Sequence, residues 1–138
     1  MAYNIIEVDT NVQNPNRAIG VKFPFNSPGI FKKTFTTFDQ ASTNVKSLLL
    51  TRKGERYEQP NFGTDLLNIV FEPNVNALKD FIHTTITDAI NFWLPYVDIT
   101  ELIIVTMEDD PTMIHNIKIS IKFTVTGTDS EETITVFA

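Results

Sequence analysis

Phe38, Ala41, Val45, Leu48 and Leu49 recur at i, i+3, i+7, i+10 and i+11, the spacing of one helical face. Thr37 is placed to cap this helix, and Asp39 suits its positive end. Arg52 and Lys53 fall where a last turn favours cations, and Gly54 is placed for a left-handed stop. A short helix is then predicted from a Thr64 cap through Asp65, Leu66, Leu67, Ile69, Val70 and Phe71. Glu72-Pro73-Asn74 ends it and opens a long helix. There Leu78, Phe81, Ile82, Thr85, Ile86, Ala89, Ile90, Trp93 and Leu94 form a broad stripe of period 3.6, predicted to be buried. Pro95 closes that pattern, because a proline biases the residue before it out of helical geometry.

Past Pro95 the period changes to two. Val97 to Met107 is a β-branched run, and Ile117, Ile119, Ile121, Phe123 and Val125 alternate with Lys118, Ser120, Lys122, Thr124 and Thr126. Gly127 to Ser130 is a turn, and Thr133 to Phe137 reads as a last short strand at a sheet edge. Helices followed by three strands joined by short turns predict an α+β fold, with helices packed on a small antiparallel three-stranded meander. The first 35 residues break differently. Asn14-Pro15-Asn16, Phe23-Pro24-Phe25 and Ser27-Pro28-Gly29 keep the chain extended or turning, while Phe23, Phe25, Phe31 and Phe35 are too apolar for a free linker. The expected division is an extended arm over 1–35, lying on its own domain or on a partner, and an α+β body over 36–138.

The chain has 138 residues, enough for one domain that hides roughly 68% of its unfolded surface. It has no cysteine, which excludes thiolate metal sites, thiol nucleophiles and disulfides but leaves the compartment open. No run approaches the ~20 apolar residues of a membrane span, and Met1 to Glu7 lacks the pattern of a signal peptide, so a soluble chain made where it works, or assembled from the cytoplasm, is expected. The net charge of −6 argues against nonspecific nucleic-acid binding. That charge is uneven: eight basic residues face six acidic ones up to residue 69, and three face eleven beyond it. Two surfaces with different neighbours would produce such a split, as would one solvated acidic half.

Candidate chemistry is sparse. Glu55, Glu58 and Asp65 share one loop and imitate the paired acids of a glycosidase, but Arg52, Lys53 and Arg56 beside them would lower the pKa that a general acid needs raised. His83 and His115 have no partner at metal-ligand spacing, and Glu108-Asp109-Asp110 lacks the spaced ligand loop of a calcium site. The five glycines form no phosphate loop, and Trp93 and the phenylalanines lack the basic surface of a base-stacking platform.

Thr51-Arg52-Lys53-Gly54-Glu55-Arg56, followed by Pro60, Phe62-Gly63, Asp65-Leu66 and Phe71-Glu72-Pro73, is far more specific. Together with the order of elements after it, this segment resembles the baseplate wedge family of contractile phage tails. These are the "lysozyme-like" baseplate proteins, shared with type VI secretion baseplates. The resemblance covers about Val45 to Phe137, and it departs where the family has Glu-Pro-Arg: here stands Leu94-Pro95-Tyr96. It implies a structural virion protein of the tail baseplate, without catalysis, cofactor or metal, in six copies around the tail axis. Its expected partners are wedge proteins on one side and the first ring of tail sheath protein on the other, with the tail tube nearby and neither nucleic acid nor membrane. The residues expected at the wedge are Arg52, Lys53, Glu55, Arg56, Leu94, Pro95 and Tyr96. Those expected at the sheath, where an open sheet edge would accept a strand, are Lys118, Lys122, Thr124, Thr126, Thr133, Thr135 and Phe137. The alternatives are a muralytic, lysozyme-type tail enzyme and a generic interaction domain.

Overall fold

The computed structural model of the chain describes residues 18–23, 31–69, 75–106, 109, 110, 112 and 117–137. Among them the order is β1 (Gly20–Val21), β2 (Lys33–Thr34), α1 (Thr37–Leu50), α2 (Leu66–Ile69), α3 (Val75–Trp93), β3 (Val97–Val105), β4 (Lys118–Val125) and β5 (Glu131–Phe137). The strands β3, β4 and β5 form an antiparallel meander in that spatial order, and β1 pairs with β2 in a separate two-stranded sheet. The architecture is α+β, with the helices on one face of the meander.

Alternation explains the sheet. Along β4 every second side chain is buried, and Ile119, Ile121 and Phe123 have no exposed surface at all. Their inward neighbours are Ile104, Leu102 and Ile99 on β3, and Val136, Ile134 and Glu132 on β5. The helices cover this face: α1 packs against β5 and α3 against β3. Val45 and Leu48 of α1 and Ile82, Ile86 and Ile90 of α3 fill the space between them. Phe38 stacks on Phe123 with ring centroids 6.0 Å apart. Glu132 would be a carboxylate at the rim of this core, and the Ser42 hydroxyl donates to it at 3.1 Å, so α1 and β5 are joined there. A register shift between Ile99 and Glu101 makes Thr100 a bulge in β3.

Several boundaries differ from expectation, each for a local reason. Thr36 caps α1, one residue earlier than Thr37, because its hydroxyl accepts from the Asp39 amide at 3.1 Å. The helix ends at Leu50, and Thr51 turns extended while its amide and hydroxyl both donate to the Ser47 carbonyl. Arg52 and Lys53 therefore lie beyond the helix, and Gly54, at φ 86°, serves the following turn instead of the helix stop. Thr64 does not cap α2; it is buried, and its hydroxyl donates to the Leu49 carbonyl at 3.0 Å. The expected continuation of α2 through Val70 and Phe71 lies outside the described residues, as do Glu108, His115 and the Met107 end of the β-branched run that starts at Val97. The last strand is longer than expected, starting at Glu131. Phe81 is the clearest departure in the core: it is 54% exposed, outside the buried stripe of α3.

Part of the stretch expected to be an arm is described, and it docks on α1. The Thr34 hydroxyl donates to Gln40 Oε1 at 2.6 Å, Gln40 Nε2 to Asn44 Oδ1 at 2.9 Å, and Asn44 Nδ2 to the Tyr96 hydroxyl at 2.8 Å. This polar chain runs from the β1–β2 sheet to the α3–β3 corner. A Cβ at Gly20 would overlap the Gln40 side chain, so glycine lets the strand approach the helix this closely. No helix among the described residues is long and apolar enough to cross a membrane.

Candidate interaction surfaces

The first surface is the loop over residues 51–64. Arg52 pairs with Thr64 in an isolated parallel bridge, the Thr64 amide donates to the Thr51 carbonyl at 2.9 Å, and the Gly54 amide donates to the Pro60 carbonyl at 2.6 Å. The loop is thus cinched at its neck against the end of α1. Gly63 sits in that neck at φ 113°, and a Cβ there would run into the Thr51 carbonyl.

Charged residues of the loop divide by what they touch. The Arg56 guanidinium lies 3.8 Å from the Phe62 ring centroid, and its Nη2 donates to Ser47 Oγ at 3.3 Å. Phe62 meets Trp93 edge-on at 5.2 Å, and Trp93 meets Phe92 at 5.1 Å. Arg56 therefore ties the loop to α1 through Ser47, and Phe62 beneath it braces the loop on α3. Lys53 faces Asp65 at 3.7 Å, with both side chains about half exposed, an ion pair of small worth. Glu55 accepts the Arg52 amide at 2.9 Å. The Arg52 guanidinium is exposed and has no partner among the described residues, so it is the loop's open cation.

The triplet after α3 is split. Leu94 is 7% exposed and belongs to the core, so Pro95 and Tyr96 are what reaches the surface there. Tyr96 is half-buried, and its carbonyl accepts from the amide and hydroxyl of Thr126 at 3.0 and 3.3 Å. Thr126 also reaches Asp98 at 3.4 Å. It thus sits at the same corner as Tyr96, apart from the middle of the sheet face with which its position along the chain grouped it.

The second surface is the face of the meander turned away from the helices. Lys118 stands opposite Phe137, Ser120 opposite Thr135, Lys122 opposite Thr133 and Thr124 opposite Glu131. The Lys122 ammonium pairs with Glu131, whose carboxylate raises the lysine pKa above its ordinary value. Phe137 is 63% exposed and Ile103, in the row next to it, 47%. Strand β5 pairs with β4 alone, so its outer edge has no strand partner among the described residues.

The remaining acids are engaged locally. Lys79 Nζ lies 2.7 Å from Asp109, and this pairing, followed by the Thr106 amide, holds the Asp109 carboxyl below its ordinary range. The Thr112 hydroxyl, then its amide, does the same for Asp110. The acidic turn is tied to α3 and to itself. His83 is exposed on α3.

Residues 39–130 match the family model described as Baseplate wedge protein gp25. The chain belongs to the baseplate wedge protein gp25 family. Membership puts it among the wedge components of contractile-tail baseplates, a family of structural proteins, and so in the virion's tail baseplate. It is 31% identical over 78 residues to the baseplate wedge protein gp25 of Enterobacteria phage T4. That match takes in 56% of this chain and spans about three fifths of the T4 protein, 59% of its length. Two solved structures share the fold. One is a Geobacter sulfurreducens protein given the working name tail lysozyme, with TM-score 0.64 and 18% identity over 75% of this chain and 90% of that one. The other belongs to the six-fold symmetrised baseplate of the anti-feeding prophage, with TM-score 0.54 and 16% identity over 85% and 81%. The gp25 match starts within α1 and stops before β5, so the β1–β2 sheet and the edge strand lie outside it.

Proposed function

We propose that this gp25-family chain links the wedge proteins to the first sheath ring, in six copies around the tail axis, and templates sheath assembly by strand addition. One observation carries the sheath side: β5 offers an edge with no strand partner among the described residues, bordered by exposed Thr133, Thr135 and Phe137. Unpaired N–H and C=O groups along such an edge accept a strand from another chain, and alternate side chains then set the register. Lys118, Lys122 and Thr124 continue the same face across β4. The wedge side is the 51–64 loop with Pro95 and Tyr96, where Arg52 presents a forked donor for a fixed carboxylate. Residues 1–35 serve as an arm beside the α+β body of 36–138, with the described β1–β2 part of that arm docked on α1.

The role is structural, without catalysis. Lysozyme-type cleavage needs one carboxyl held neutral in an apolar pocket. Here Glu55 is exposed and accepts the Arg52 amide, and Asp65 faces Lys53.

Thr135→Pro removes one backbone donor from β5 while Ile134 and Val136 keep their places in the core. Pull-down of co-expressed sheath protein is expected to fall about tenfold for this variant, with an unchanged circular dichroism spectrum. Undiminished sheath binding by the folded variant would rule out strand addition at this edge.

A further inference from the structure

Two large aromatic side chains on α3 face outward: Phe81 is 54% exposed and Phe92 is 75% exposed. They lie eleven residues apart, which places them within about 20° of each other around the helix and about 16 Å apart along it. Thr85 and Asp88 fall between them, giving steps of four, three and four residues, the spacing of the knob positions where one helix packs on another. Single exposed apolar residues are ordinary, but Thr85, Asp88 and Phe92 of this row line a cleft of about 400 Å³ between α3 and the 51–64 loop, with Lys53, Gly63 and Trp93 among its other walls. Phe92 is held by its edge contact with Trp93, so little side-chain freedom is lost when a partner covers it.

The charge on this face says what the partner carries. Asp88 is exposed and has no ion-pair partner among the described residues, and Asp80 is a second exposed acid on the helix. Lys79 pairs with Asp109, Arg56 lies on Phe62, and Lys53, in the cleft wall, faces Asp65, while the open Arg52 of the same loop is not part of the cleft lining. A second copy of α3 would bring acid against acid, and anionic lipid or nucleic acid would be repelled.

We propose that the Phe81–Phe92 face of α3 seats an amphipathic helix of a neighbouring baseplate chain, with aliphatic side chains over the two rings and one Arg or Lys against Asp88. The seat is about three turns long. The identity of the neighbour as a baseplate chain rests on the function proposed above; the seat's geometry and charge do not.

The full chain carrying the photo-crosslinker benzoylphenylalanine at position 92, or at position 81, is assembled into tail particles and irradiated, and crosslinked peptides are mapped by mass spectrometry. The expected product joins position 92 or 81 to a helix of another chain with a Lys or Arg within one turn of the crosslink. Asp88→Lys is expected to lower its yield about tenfold, and exchanging that partner cation for Glu to restore it. Crosslinks to a strand, to a helix without a cation or to a second copy of this chain would overturn the proposal. So would the absence of any crosslink from both positions, whether or not particles form. A probe at position 135, read in the same particles, tests sheath contact separately, so either proposal can fail while the other stands.

Discussion

Phe123→Ala is expected to cost about 3–5 kcal/mol, a large part of the roughly 5–15 kcal/mol that holds a domain of this size together. Phe123 has no exposed surface, lies opposite Ile99 and Glu132 in the central strand, and stacks on Phe38 at the start of α1. Truncation loses the transfer energy of the ring and leaves a cavity where helix and sheet meet, which the backbone of a strand paired on both sides cannot easily close. The urea midpoint should fall by about 2 M. Phe137→Ala provides the control, because that ring is 63% exposed on the opposite face of the sheet. It should change stability by less than about 0.5 kcal/mol. Equal losses for the two variants would mean that the sheet's inner and outer faces have been misassigned.

The second large effect is expected at Gly63. Its φ of 113° is strained for any residue with a Cβ, and that Cβ would also overlap the Thr51 carbonyl, a backbone atom that cannot swing aside. Gly63→Ala should cost about 2–4 kcal/mol and open the loop neck, where Thr64 is bonded to Thr51 and Leu49. Limited trypsin cleavage at Arg52, Lys53 and Arg56 reads that opening directly. Gly54→Ala separates strain from clash: its φ is 86°, but nothing lies within 4 Å of the added Cβ. About 1 kcal/mol and no faster cleavage are expected there. If the two alanines behave alike, close packing at the neck is not what holds the loop.

Much of this fold was legible because two periods are written clearly into the chain. The alternation from Ile117 to Val125 became a strand buried at every second residue, and the 3.6 spacing from Phe38 to Leu49 became α1. What the pattern could not convey is nonlocal. Arg52-Lys53-Gly54 has the composition of a helix C-terminus, yet the bridge from Arg52 to Thr64 draws the chain out of the helix at Thr51. Phe81 looked like core because apolarity says nothing of which neighbours exist. On a helical wheel it stands about 60° to the side of Leu78, away from Ile82 and Ile86, and that angle was the available signal. The polar chain from Thr34 through Gln40 and Asn44 to Tyr96 joins residues up to 62 positions apart and leaves no local trace.

The candidate surfaces show the same division. Thr133, Thr135 and Phe137 are exposed, as strand alternation requires. Arg56 had the composition of a free cation, but Phe62 and Ser47 hold it, leaving Arg52 as the exposed one. Leu94 falls to the core because it follows Ile86 and Ile90 on the inner side of α3. Thr126 is pulled to the corner by the Tyr96 carbonyl.

The central claim is that sheath joins this chain by adding a strand to β5. Amide hydrogen exchange of residues 131–137, measured for the free chain and for its complex with sheath protein, tests it most directly. The β5 amides facing away from β4 should exchange at least about tenfold more slowly in the complex, while those of β4, already paired on both sides, stay as they were. Sheath binding that leaves exchange along β5 unchanged would contradict the account.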